Sequence, residues 1–231
     1  MKKIIILILI YLLSLNIVKT ETTMLELPLL GKEIYLDAGH GGIDPGATYK
    51  DINEKDIALA ITLKLEEALS KKGAIVYMTR TSDTDLADIN AIYRKRSDLG
   101  NRAKLINDST ASLYLSIHLN SYPSSKWSGA QVFYTTKNNR NKEMAKVIQN
   151  ELKEKLKTTR EFKEIKNMYM YDRITKPGVL IEVGFISNYT ERTKLLNETY
   201  QEELVSVITS GIIKYLQQSN NSSLSMVLVP L

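Results

Sequence analysis

EIYLDAGHGG, residues 33–42, runs from strand-like apolar sequence into a histidine set among glycines. ASLYLSIHLNS, residues 111–121, repeats the pattern: an apolar run leads into His118 and then into small polar residues. His40 and His118 are the only histidines in the chain. Each is expected at the exit of a buried strand. Open α/β sheets bind ligands outside the carboxyl ends of their strands. Two such exits side by side in one sheet would supply half of a metal site.

Outward from these two segments, strands and helices alternate. AIVYMT (74–79), GAQVFYT (129–135) and GVLIEVGF (178–185) read as further strands, and residues 168–171 as a short edge strand. Residues 56–72 carry an apolar helical face of Ile57, Ala60, Ile61, Leu65, Ala68 and Leu69, and Gly73 stops it. Residues 94–107, 139–156, 191–195 and 199–216 are the other expected helices, and polar residues 81–92 a surface loop. Such alternation implies an α/β layer fold in a single domain with a mainly parallel sheet. The tail, residues 217–231, turns polar and then apolar, and reads as a frayed end or a docking strand.

Composition narrows the function classes. A chain of 231 residues with 43% apolar and 25% charged content can build one full core. Setting aside Lys2, Lys3 and Lys19 leaves 28 basic against 26 acidic residues over 21–231, a charge of +2. That balance argues against nucleic acid as a partner. Lys2 and Lys3 precede the apolar stretch 4–18, the pattern of an export signal. As a helix this stretch spans about 22 Å, short of the roughly 30 Å hydrocarbon core. Residues 1–20 are therefore expected to be a cleaved signal peptide or a retained membrane anchor, with a buried N-terminal helix as the alternative. Residues 21–31 read as a linker. With no cysteine, any metal must be held by His, Asp or Glu.

Three strand ends carry polar groups that an apolar core would exclude: His40, His118 and Glu182. Glycines 39, 41 and 42 let the chain turn sharply around His40 and let a substrate approach. Glu54 lies 14 residues after His40, at a helix start, where the helix dipole favours a carboxylate. Two histidines and one carboxylate, with a fourth position left to water, make a catalytic zinc set. Zinc acidifies water and polarises a carbonyl. A charge at Glu182, inside VLIEVGF, is costly to bury unless a cation offsets it. Glu182 would then serve as general base on the water and as acid for the leaving amine. Singly, each residue also has a structural reading: a satisfied strand-end histidine or a helix-start acid. One geometry accounts for all four together.

The ordered segments LDAGHGGIDPGA (36–47), NEKDIALAI (53–61), LYLSIHLNS (113–121) and KPGVLIEVGFISN (176–188) resemble the zinc-dependent N-acetylmuramoyl-L-alanine amidases of the amidase 3 family. The resemblance covers residues 32–216, expected to form the catalytic domain. WSGAQVFY (127–134) and the compact length look most like the germination-specific branch that acts on the spore cortex. The resemblance implies a twisted sheet of about six strands flanked by helices on both faces. It implies one Zn2+ held by His40, Glu54 and His118, with Glu182 as the catalytic carboxylate. The implied reaction cleaves the amide between the lactyl group of N-acetylmuramic acid and L-alanine, ahead of muramic δ-lactam formation by a separate deacetylase. Partners would be the peptidoglycan glycan strand and stem peptide, an exported partner protein, and the membrane if residues 1–20 are retained. The location would be extracytoplasmic, in the space around the forespore. The family usually has proline before the Gly-His pair; Ala38 stands there, which loosens a turn and removes no ligand.

Other residues near the motifs have two readings each. Asn120 and Ser121 follow His118 and can hydrogen-bond the glycan or the peptide. Arg102 and Asn107 match an Arg and an Asn of the helix before that strand, and either meet substrate or brace loops. Arg173 can meet a substrate carboxylate or lie on the surface. Trp127 can stack on a sugar or pack beside its strand. Two other functions remain open on sequence: a zinc peptidase cutting within the stem peptide, and a non-catalytic wall-binding or activator module.

Overall fold

The computed structural model describes residues 26–227. In chain order these form strand β1 (Glu33–Ala38), a hairpin of β2 (Thr48–Tyr49) and β3 (Ile52–Asn53), helix α1 (Glu54–Lys71), β4 (Ile75–Met78), α2 (Arg94–Asp108), β5 (Leu113–Asn120), β6 (Gln131–Tyr134), α3 (Asn141–Leu156), β7 (Lys163–Glu164), a 3-10 turn (Tyr171–Arg173), β8 (Gly178–Phe185), α4 (Tyr189–Leu195) and α5 (Glu198–Val227).

Six strands make one sheet in the order β4-β1-β5-β8-β6-β7. All neighbours pair in parallel except β6 with β8. The central strands are buried on both faces, which is why they read as near-continuous apolar runs. Side chains alternate between faces. Leu113, Leu115, Ile117 and Leu119 of β5 enter the larger core, which α1, α3 and α5 cover. Tyr114 enters a smaller core on the opposite face, with Ala103 and Ile106 of α2. The expected α/β fold is the observed one, with helices on both faces.

Four local differences matter. Residues 168–171 are not an edge strand. Met170 and Tyr171 pack into the smaller core, and the Tyr171 hydroxyl meets Ser116 Oγ at 3.0 Å. The edge position belongs to β7, formed by two charged residues. The β2–β3 hairpin was not anticipated, because two-residue strands carry no periodicity. Helix α5 continues past Leu216 to Val227, since neither Gly nor Pro interrupts the sequence until Pro230. Of the expected linker, residues 26–31 are docked: Leu29 is fully buried and its N–H donates to Lys72 O. The expected export segment, residues 1–20, lies outside the described residues. No helix among the described residues is long and apolar enough to cross a membrane.

Candidate metal centre

His40 leaves the end of β1 in the left-handed backbone region, at φ 58°, which non-glycine residues seldom adopt. Its ring then points between Asp44 and Glu54. Nδ1 donates to Asp44 Oδ2 at 2.9 Å, and Nε2 lies 3.2 Å from Glu54 Oε1. His118, near the end of β5, donates from Nδ1 to the same Glu54 oxygen at 2.9 Å. Glu54 is the first residue of α1, carried there by the β2–β3 hairpin. Backbone N–H groups aim its carboxylate: Leu119 N donates to Oε1 at 2.9 Å and Ala47 N to Oε2 at 2.8 Å. Ligand atoms of His40, Glu54 and His118 all lie within 4.8 Å of one another, the one such group found among the described residues.

Two glycines make room for the rings. A Cβ on Gly39 would sit 2.3 Å from His118 Cε1. One on Gly46 would sit 2.7 Å from both Glu54 Oε2 and His40 Cδ2. Burial alone would raise the Glu54 pKa, but hydrogen bonds from His118 and His40 and their charges hold it well below the usual carboxylate range. Burial would likewise lower His40, and the hydrogen bonds and charges of Glu54 and Asp44 overcome it, raising its pKa.

Glu182 stands beside His118 in the parallel ladder of β5 and β8, so both side chains project from one face. Its Oε2 is buried without a hydrogen-bond partner. Burial pushes its pKa up to about 7, opposed by His118 and reinforced by the charge of Glu54. An ion fits these residues on three counts: a His-Glu-His donor set, a pocket that glycines leave open, and the buried Oε2 of Glu182, which has no hydrogen-bond partner.

The remaining expected residues separate into two groups. Arg102 does not face a substrate. It is 1% exposed, paired with Asp37 at 2.9 Å and Asp98 at 3.0 Å, and donates to the carbonyls of Ala38 and His40. It braces the loop that holds His40. Asn107 and Arg173 also fall outside the site. Asn107 donates to Arg173 O and accepts from Thr175 N, near where β5 and β8 begin, the end of the sheet away from His118 and Glu182. The Arg173 guanidinium lies 3.5 Å from the centre of the Tyr169 ring. Asn120 and Trp127, by contrast, line an open cleft of about 340 Å3 at the carboxyl end of β5, and Ser121, the next residue after Asn120, is exposed.

Several supporting residues escaped the sequence reading. Asp37, fully buried in β1, accepts from Arg102, Thr79 and Ser116. Arg80 is buried and donates to the carbonyls of Ala38, Gly39, Ser82 and Lys55, fastening the His40 loop to α1. A charge inside an apolar strand, the signal that singled out Glu182, is also present at Asp37.

The sequence profile of N-acetylmuramoyl-L-alanine amidases matches residues 34–214. The chain belongs to this amidase family. A relative in Bacillus subtilis, the germination-specific N-acetylmuramoyl-L-alanine amidase, is 49% identical over 200 residues, 85% of this chain and 84% of that protein. The CwlD amidase from Clostridioides difficile, solved in complex with the GerS lipoprotein, superposes with a TM-score of 0.76 at 45% identity, covering 80% of this chain and 98% of that one. The catalytic domain of CwlV from Bacillus (Paenibacillus) polymyxa superposes with a TM-score of 0.71 at 32% identity, covering 80% and 98%. The family gives the chain its reaction: hydrolysis of the amide between N-acetylmuramic acid and L-alanine.

Proposed function

We propose that this amidase is a zinc enzyme that strips stem peptides from the spore cortex, leaving peptide-free muramic acid for δ-lactam formation. The observation that carries the reading is the buried Oε2 of Glu182, which has no hydrogen-bond partner, in register with His118 of the His40–Glu54–His118 cluster. His40, Glu54 and His118 would hold the zinc as three protein ligands with one position open. When bound, zinc supplies Lewis acidity, which acidifies water and polarises the amide carbonyl.

The chain's own residues do the rest. Asp44 fixes the His40 ring through Nδ1, an orienting contact of the kind that tunes metal ligands. Glu182 takes a proton from water as general base and returns it to the amine of the departing L-alanine. Asn120 and Ser121, following His118, hydrogen-bond the substrate at the cleft. Residues 32–216 would form the catalytic unit, residues 1–20 would serve export or anchoring, and residues 217–231 would lie beyond that unit. The complex of the Clostridioides difficile relative with the GerS lipoprotein supports an exported protein partner.

Glu182→Gln tests the assignment. The variant should keep one zinc per chain and lose turnover on sacculi by about 10²- to 10⁴-fold. Wild-type activity in the zinc-loaded variant would remove Glu182 from the chemistry. Mass spectrometry of the products should find muramic acid free of peptide; L-alanine left on the sugar would mean a peptidase instead. In spores lacking the gene, muramic δ-lactam should be missing. Normal levels would sink the cortex role and leave the amidase reaction standing.

A further inference from the structure

We infer that Arg160 is a specificity residue of this amidase, receiving a carboxylate on the peptide half of the substrate; the inference rests on Glu182 being the catalytic carboxylate. His118, Glu182 and Gln131 lie in one row across β5, β8 and β6, because His118 pairs with Glu182 and Glu182 with Gln131. Paired residues share a face. Gln131 lines the cleft together with Asn120, Trp127, Arg160, Lys163 and Phe185. The cleft is thus continuous with the catalytic row.

Its charge is unmet. The Arg160 guanidinium carbon lies 5.2 Å from the centre of the Trp127 ring and 5.1 Å from that of Phe185. Both rings lie within cation–π range of the guanidinium. Nε of Arg160 is buried with no hydrogen-bond partner. Neither Arg160 nor Lys163 forms an ion pair among the described residues. The neighbouring acids are taken: Glu161 pairs with Lys153 and Glu164 with Lys166, and Glu191 accepts from the N–H groups of Gly129 and Phe185. A buried donor left unmet is destabilising, and the planar guanidinium fork matches a carboxylate.

The reaction decides which half of the substrate brings the anion. The lactyl carboxyl of the sugar is consumed in the scissile amide, so the sugar half offers no carboxylate there. The other half is a peptide, and a linear peptide ends in one. A neutral sugar stacked on Trp127 would leave the Arg160 charge without a counter-ion.

The test is steady-state kinetics of zinc-loaded, full-length protein on two soluble muropeptides. One has free peptide carboxylates, and the other has them converted to primary amides. Wild type should favour the free acid by about tenfold to a hundredfold in kcat/KM, chiefly through KM. Arg160→Gln should abolish that preference, losing far more on the free acid than on the amidated substrate, and Arg160→Lys should fall between. Equal kcat/KM of wild type on the two substrates would overturn the inference whether or not the variants fold. Equal losses on both substrates in Arg160→Gln would also overturn it, assigning Arg160 to structure. An active Glu182→Gln enzyme would instead defeat the catalytic reading, and the wild-type preference would still report on Arg160.

Discussion

His118 and Glu182 share a row, and neither can move one position along its strand, because Ile117, Leu119, Ile181 and Val183 all face the larger core. The same tightness makes Gly39 a sensitive residue. Gly39→Ala would drive a methyl into the His118 ring, 2.3 Å from Cε1. Such a variant should fold yet bind less than one zinc per chain, with activity falling in parallel; full zinc occupancy would contradict the packing. Glu182 makes metal-free stability depend on pH. Its pKa is about 7 in the folded chain against an ordinary 4.5. Between these values the folded protein holds a proton that the unfolded chain has released, so stability falls as pH rises through that window. The loss amounts to about 3 kcal/mol, at 1.36 kcal/mol per pKa unit. Denaturant titrations of metal-free protein at pH 5 and pH 8 should show a larger loss in wild type than in Glu182→Gln, where the raised pKa of His40 still contributes. Identical pH dependence in both would rule out Glu182 as its source.

At the scale of elements, two helical glycines should respond in opposite directions to alanine. Gly100 in α2 would place a Cβ no closer than 3.7 Å to any neighbour, the nearest being the Tyr169 hydroxyl. Gly100→Ala should therefore stabilise by roughly 0.5–1 kcal/mol through helix propensity. Gly211 in α5 is where that helix crosses α3 closely, and its Cβ would lie 3.1 Å from Ile148 Cα. A backbone atom cannot move aside cheaply, so Gly211→Ala should destabilise by about 1 kcal/mol despite the better propensity. Thermal midpoints of the two variants read the contrast directly, and a stabilised Gly211→Ala protein would show that α3 and α5 slide freely. Residues 168–171 teach a related lesson. Apolar and aromatic content marked the segment as a strand, but those side chains cap the smaller core from a turn. Burial pattern reports what a segment covers before it reports how its backbone pairs.

At the scale of the molecule, Arg102 joins the sheet, α2 and the metal loop. One guanidinium meets Asp37 of β1, Asp98 of its own helix, and the carbonyls of Ala38 and His40. Arg102→Met would strand two buried carboxylates, costing about 3–5 kcal/mol, and should lower zinc occupancy as the His40 loop loosens. Unfolding at the wild-type denaturant concentration would refute that linkage. The alternation of strands and helices, the two histidines at strand exits, Glu54 at a helix start and Glu182 inside an apolar strand were all legible in the chain. Each is a local signal: a period of two or 3.6, or a polar residue where burial forbids one. The roles of Arg102, Asn107, Arg173 and Arg160 were not legible, because a cation's role depends on which acid the fold sets beside it. Arg102 finds Asp37 at a separation of 65 residues. Arg160 is set apart because its chain neighbours Glu161 and Glu164 pair with lysines and Glu191 is taken up by backbone N–H groups. Patterning along the chain thus chose the fold and four residues of the candidate site, while long-range packing chose which charges brace that site and which stay outside ion pairs.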